Sequence, residues 1–286
     1  MTSVNFKNTF DWNTSFEDIK GLFHEIIGTS VIAEKKQTID CYPHDDITWL
    51  SNLTSGLGKT KNEIITSLLG RFYFKFDSIN VFHTCTPDSV NSYYNYGFKL
   101  FDLDETNKKF EEFINKYYPS VSNAIIDDAI KYLKPYFLDH EKRKNVSLIY
   151  DSEYIPDLVK FFSLNRYRGE YFSALIERVE DYCPSIRELI CSCSIPTVFK
   201  LILPLHFIPE NFLSSLMPTI ATKWFFLEKT PLLPYSPPLS LTLSMNTPIP
   251  PEYIDSHDHA VQLWDRDQKP RYCDKCQREI APSVSS

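Results

Sequence analysis

Glycine is scarce in this 286-residue chain: 7 residues stand where average usage near ~7% would supply about twenty. That shortage argues against the glycine-rich phosphate loops of Rossmann or P-loop proteins. The one lookalike, Gly56-Leu57-Gly58-Lys59-Thr60, has Leu53 where a P-loop needs its first glycine, and no apolar strand leads into it. A turn between helices explains it better. Positive charge is also short. Thirty Lys and Arg face 37 Asp and Glu, a net charge of −7, so no global basic field draws the protein to nucleic acid or anionic lipid. A local strip, Lys142-Arg143-Lys144 with Arg166 and Arg168, remains able to guide an RNA or DNA strand. The first eight residues contain no apolar signal core, and no window approaches 18 uncharged apolar residues. The expectation is a soluble, cytoplasmic protein with no membrane partner. Seven cysteines, an odd number, then read as reduced thiols or metal ligands rather than disulfides.

What is present is a core's worth of apolar residues, 43% of the chain with 15% aromatic. Residues 1–70 read as an N-terminal helical segment packed on the remainder. Phe16, Ile19, Leu22, Phe23 and Ile26 recur at helical spacing before Gly28, and a shorter helix from Asn62 stops at Gly70. Residues 71–84 read as a strand or bent pair broken at Asp77-Ser78. Helices are expected at 87–96, 107–117, 121–134 (ending before Pro135), 153–163, 170–179 and 184–192. Strands are expected at 146–150, 197–203 and 239–245, with a short one after Pro250-Pro251. Residues 211–226 read as a helix with Leu213, Leu216, Met217, Ile220 and Trp224 inward and a kink at Pro218. Cys183 is expected in the core and His206 at a strand end. Strands scattered among helices without βα alternation give an α+β fold.

One stretch organises the rest. Phe72 to Phe82 delivers His83-Thr84-Cys85-Thr86, then Pro87, a helix and Gly97-Phe98. Val146-Ser147-Leu148-Ile149-Tyr150 closes on a tyrosine, and Pro250-Pro251-Glu252-Tyr253-Ile254 opens a late strand with a glutamate. In this order the three segments resemble the motifs of the ADP-ribosyltransferase superfamily, in its His-Tyr-Glu branch of diphtheria toxin and the poly(ADP-ribose) polymerases. The resemblance covers residues 71–260. It implies two packed, mainly antiparallel small sheets forming an NAD cleft, inside a domain spanning 71–286. It further implies that NAD is consumed as a substrate, that His83 and the Thr84 backbone hold it, that Tyr150 stacks on nicotinamide, and that Glu252 is the catalytic carboxylate. ADP-ribose would pass to a macromolecular acceptor, protein or nucleic acid. A bacterial toxin or phage-defence role, with an antitoxin-like inhibitor as a candidate partner, is the superfamily's common use. Two departures stand out: Thr84 replaces the frequent glycine, and Asp151-Ser152-Glu153 makes an acidic loop in which Glu153 is a second candidate carboxylate.

The polar tail, 256–286, holds His257-x-His259 and Cys273-x-x-Cys276, four ligands of the kinds tetrahedral zinc prefers. The alternative is two surface thiols and a strand-end histidine pair. Cys191-Ser192-Cys193 spans too few residues for a typical ligand pair. The alternative function, of another class, is a non-catalytic α+β interaction protein with a zinc-stapled tail.

Overall fold

The computed structural model describes residues 6–12, 14–27, 58–142, 146–149, 170–193, 195–229, 242–259 and 270–281. They form an α+β fold around an antiparallel sheet. Its strands are β1 (Thr9–Phe10), β2 (Ser78–Cys85), β3 (Val146–Ile149), β4 (Thr197–Pro204), β5 (Thr242–Met245) and β6 (Ile254–Asp258), in the order β5-β3-β2-β4-β6. β1 is the exception, pairing in parallel with the start of β2. A second, two-stranded antiparallel sheet joins β7 (Arg271–Cys273) to β8 (Arg278–Ile280). β2 and β4 make the longest pairing, from Ser78 opposite Pro204 to Cys85 opposite Thr197. Thr197-Val-Phe-Lys-Leu-Ile-Leu, rich in β-branched and aromatic residues, is thus an interior strand, paired on both sides by β2 and β6, as its composition predicts.

Helices α1 (Phe16–Ile27) and α2 (Lys61–Lys75) share one buried core with the sheet: Ile19, Phe23, Ile64, Leu68 and Phe72 cluster with Val81, Phe199, Leu201 and Leu243. α2 begins in a capping box. Thr60 Oγ1 accepts from the Glu63 N–H at 3.2 Å while Glu63 accepts from the Thr60 N–H at 2.6 Å, and Lys59 Nζ donates to the Ile26 carbonyl at 3.0 Å. The Gly-Lys-Thr segment therefore starts a helix, with Gly58 at φ +65° in the turn.

The sequence reading needs two corrections here. α2 does not stop at Gly70, and residues 71–75 are helix rather than strand. Phe72 lies one turn past Leu68 and is fully buried, whereas Phe74 is 95% exposed. A glycine inside a helix costs about 1 kcal/mol, less than the ~1.5–3 kcal/mol of burying Phe72, so the helix runs through it. The dense aromatics hid a helical period under an apparently strand-like composition.

Helices α3 (Val90–Tyr96), α4 (Leu103–Tyr117), α5 (Asn123–Lys142), α6 (Glu170–Val179) and α7 (Ile186–Cys193) follow. α4 to α7 build a second core of their own around Phe110, Ile114, Ile126, Phe172, Leu175 and Ile190, with Cys183 fully buried in it. Inside it Tyr171 Oη donates to Asn107 Oδ1 at 2.7 Å, satisfying a buried amide. Pro135 does not end α5. Leu133 and Phe137, i and i+4 across the proline, both pack on this core, and the helix continues. The last helix, α8 (Glu210–Lys229), buries Leu213, Leu216, Met217 and Ile220 as expected and carries Pro218 in its interior. His206 sits exposed in a 3-10 turn, Leu205–Phe207, just beyond β4. Residues 153–163, most of 1–70 outside α1 and α2, and the Trp224 side chain lie outside what is described. Among the described residues, no helix is long and apolar enough to cross a membrane.

Candidate functional site

β2 carries His83 to the middle of the sheet. Its pairing residue on β4 is Phe199, whose own partner on β6 is His257, so the three side chains stand on one face. That face is covered by α3 and the residues after it. Ser89 caps α3, accepting from the Ser92 N–H at 3.0 Å, and Gly97 ends it at φ +72°. Phe98 then forms a bridge with Ile249, its N–H donating at 2.8 Å and its carbonyl accepting at 2.9 Å. The Phe98 ring meets the His83 ring edge-on at 4.9 Å and packs on Tyr93 and Phe199 as well.

The Ile249 segment continues into the 3-10 turn Pro251–Tyr253, which exposes Glu252 and feeds β6. The first and third sequence motifs are therefore joined, His83 through Phe98 to Ile249 and on to Glu252. β4 lies between β2 and β6, so their backbones stand two strand spacings, roughly 10 Å, apart. Tyr150 and Glu153 lie outside the described residues. Ile149, next to Tyr150 in the chain, pairs with Phe82, next to His83.

The His83 ring is half-buried and bonds through Nδ1 to the Ser147 carbonyl at 2.9 Å. A carbonyl only accepts, so Nδ1 carries the hydrogen and Nε2 is left as an acceptor. Burial pulls the imidazole below its usual pKa, against the opposing pull of the Ser147 bond, and His83 is neutral at pH 7. Cys85 is no nucleophile: burial pushes its thiol up to about 12. Thr84 is partly exposed on the strand between them.

Gly97 explains itself by contact. A Cβ there would lie far inside van der Waals contact distance of the Ile249 carbonyl oxygen, and the positive φ already disfavours an L side chain. Gly97→Ala is expected to cost about 2–4 kcal/mol by urea unfolding. A cost under about 1 kcal/mol would contradict this close approach.

The tail is a built site rather than a loose end. Ligand atoms of His257, His259, Cys273 and Cys276 all lie within 4.8 Å of one another. Zinc bonds of about 2.3 Å to sulfur and 2.0 Å to nitrogen require tetrahedral edges of roughly 3.3–3.8 Å, so small side-chain movements close the set. His257 and His259, two apart on an extended segment, share a side. Their Nε2 atoms approach Cys276 Sγ at 3.2 and 3.6 Å. The outer nitrogens are committed elsewhere. His257 Nδ1 bonds Tyr94 Oη at 2.8 Å, and His259 Nδ1 meets Thr197 Oγ1 at 3.3 Å. Thr197 already donates its hydroxyl hydrogen to the Ile195 carbonyl at 2.9 Å, so it accepts from His259 Nδ1–H, which makes Nε2 the ligating nitrogen.

The cysteines flank a tight turn between β7 and β8. The Gln277 N–H donates to the Cys273 carbonyl at 2.8 Å, and the Cys276 N–H reaches Cys273 Sγ at 3.4 Å. Cys273 is fully buried, which the surface-thiol alternative does not accommodate. This His2Cys2 group can hold a metal ion. Without one, burial raises the Cys276 thiol and lowers both histidines.

Desolvation thus lowers three histidines, His83, His257 and His259, below the 6.5 they have in an unfolded chain. Between the lowered folded values and 6.5 the unfolded state binds more protons, so stability rises with pH there and is lost on acidification. Carboxylates lowered in the fold, such as Asp274, lose their contribution only at more acidic pH. The metal-free protein is therefore expected to unfold at lower urea at pH 5.5 than at pH 7.5. Equal midpoints would contradict the burial of these rings.

Sequence reasoning placed the four ligands but missed Tyr94, Thr197 and Asp274. Nothing local marks the first two. Asp274 stood in view inside Cys273-Asp-Lys-Cys276, yet only the fold brings it to α3. A cavity of about 250 Å³ lies where the Pro87–Val90 turn meets Arg271–Asp274. In comparisons with known proteins, no family model, no curated protein and no solved structure matches the chain.

Proposed function

We propose that the protein is an NAD-dependent ADP-ribosyltransferase whose fold carries a structural zinc. The observation that supports this most is the junction of the His83 and Glu252 segments through the Phe98–Ile249 bridge, with Ile149 leading toward Tyr150 from the strand beside His83. Neutral His83 offers Nε2 to a ribose hydroxyl, and the Thr84 backbone would take the nicotinamide amide. Glu252 supports the positive charge that develops on the ribose as the N-glycosidic bond breaks. Nicotinamide departs with the bonding electron pair. An acceptor lone pair then bonds the anomeric carbon, and the acceptor's proton passes to Glu252. Tyr150 stacks on the nicotinamide ring.

His257, His259, Cys273 and Cys276 would hold zinc in a closed four-ligand set, the arrangement of structural sites; a catalytic zinc keeps a position open. Zinc lowers thiol pKa values, so Cys273 and Cys276 would ligate as thiolates and release their protons to solvent.

One observation favours the non-catalytic reading. His83 Nδ1 is bonded to Ser147 and the ring is packed on Phe98, as in a core histidine. Calorimetric titration with a carbocyclic NAD analogue, which cannot lose nicotinamide by oxocarbenium formation, separates the two. Binding that weakens about threefold to tenfold in His83→Ala, the scale of one hydrogen bond, supports the transferase reading. No binding by wild type overturns it.

A further inference from the structure

Two segments far apart in sequence meet on α3. The turn between the two cysteines presents Asp274, whose Oδ1 accepts from the backbone N–H groups of Val90 at 2.9 Å and Asn91 at 3.1 Å. Its Oδ2 accepts from the Ser89 hydroxyl. The first turn of α3 is thus capped by a side chain that lies between two metal-ligating thiols. Further along the helix, Tyr94 bonds His257 Nδ1 at 2.8 Å, and Lys275 Nζ lies 4.1 Å from the centre of the Tyr94 ring. α3 is consequently gripped at one end by a residue between Cys273 and Cys276, and near the other by the outer nitrogen of a third ligand. The far end of the helix is Gly97-Phe98, the contact that joins His83 to Ile249.

We propose that the His2Cys2 centre is a positioning centre for α3, with Asp274 and Tyr94 as the positioning residues. A metal ion fixes the Cys273–Cys276 turn and the His257 ring. They in turn fix Asp274 and the Tyr94 hydroxyl, and with them the helix that stands between the two motif segments. The coupling runs both ways: a mutation that frees α3 weakens the metal. That α3 borders an NAD site rests on the transferase reading above; the coupling of metal to helix does not.

Hydrogen exchange read by mass spectrometry tests it, on the full chain with one equivalent of zinc and after chelation. Chelation is expected to speed exchange of Val90–Gly97 by tenfold or more while α4 to α7, with their separate core, stay unchanged. Asp274→Ala is expected to bind one zinc per chain with about tenfold lower affinity, the scale of losing an outer-shell partner, and to show fast exchange at Val90 and Asn91 even when loaded. Asp274→Asn keeps one acceptor oxygen and is expected to recover part of the protection. The proposal is overturned if α3 exchanges equally fast with and without zinc, or if chelation frees α4 to α7 equally. It is also overturned if no zinc binds, or if loaded Asp274→Ala matches wild type. Should Asp274→Ala fail to fold, chelation of wild type and Asp274→Asn carry the same decision. Zinc-dependent protection of α3 in a chain that binds no NAD analogue supports the coupling and removes only the transferase reading.

Discussion

Glu252→Gln is expected to slow nicotinamide release from NAD by roughly a hundredfold or more, the scale of removing one preorganised electrostatic stabiliser of a charged transition state. The substitution keeps the shape of the side chain and removes its charge. Glu252 is exposed in a 3-10 turn, so folding stability should move by no more than about 0.5 kcal/mol, the usual range for a surface change. An activity loss therefore belongs to the chemistry. Release measured at saturating NAD checks it, with the melting temperature alongside. Equal release from both proteins would keep the enzyme and discard Glu252, which makes Glu153 the next carboxylate to replace.

The second large effect belongs to the metal. Structural zinc sites in small domains supply about 10–16 kcal/mol of binding free energy, and one ligand's share, about a quarter, corresponds to a hundredfold to a thousandfold in affinity. Cys273→Ser is expected to lose zinc affinity on that scale in competition with a chromophoric chelator. Cys273 is fully buried and its sulfur accepts from the Cys276 N–H, so serine neither ligates as a thiolate nor restores that contact. Unchanged affinity would show that zinc, if it binds, sits elsewhere. Glu252→Gln should leave zinc binding untouched, which separates the two sites experimentally.

How far the chain discloses this arrangement depends on the range of the interactions. The Thr197–Leu203 strand and the Leu213-Leu216-Met217-Ile220 face were legible because local composition and period agree with the burial that tertiary packing enforces. Residues 71–75 were misread because aromatics favour strands by composition, while packing selected Leu68 and Phe72 at i and i+4 of one helix. Pro135, expected to end a helix, sits inside α5 because Phe137 beyond it finds a core. The ligand set was legible from spacing alone, since Cys-x-x-Cys and His-x-His each put two ligands on one side. The grip of Asp274 on α3 was not, because it links residues about 180 positions apart and has no periodic trace. The self-contained core of α4 to α7 was equally hidden. Its four helices were each expected, though α5 was expected to end before Pro135 and runs on to Lys142, but no local pattern says which helices share a core.

The most direct measurement uses NAD carrying one label in the nicotinamide ring and another in the adenine, incubated with zinc-loaded protein and cell extract. The expected result is nicotinamide label released as free base, with adenine label appearing on a macromolecule in equal amount. Both labels remaining together in intact NAD, at enzyme concentrations where the carbocyclic analogue saturates the protein, would contradict the assignment of His83, Tyr150 and Glu252 to a transferase site.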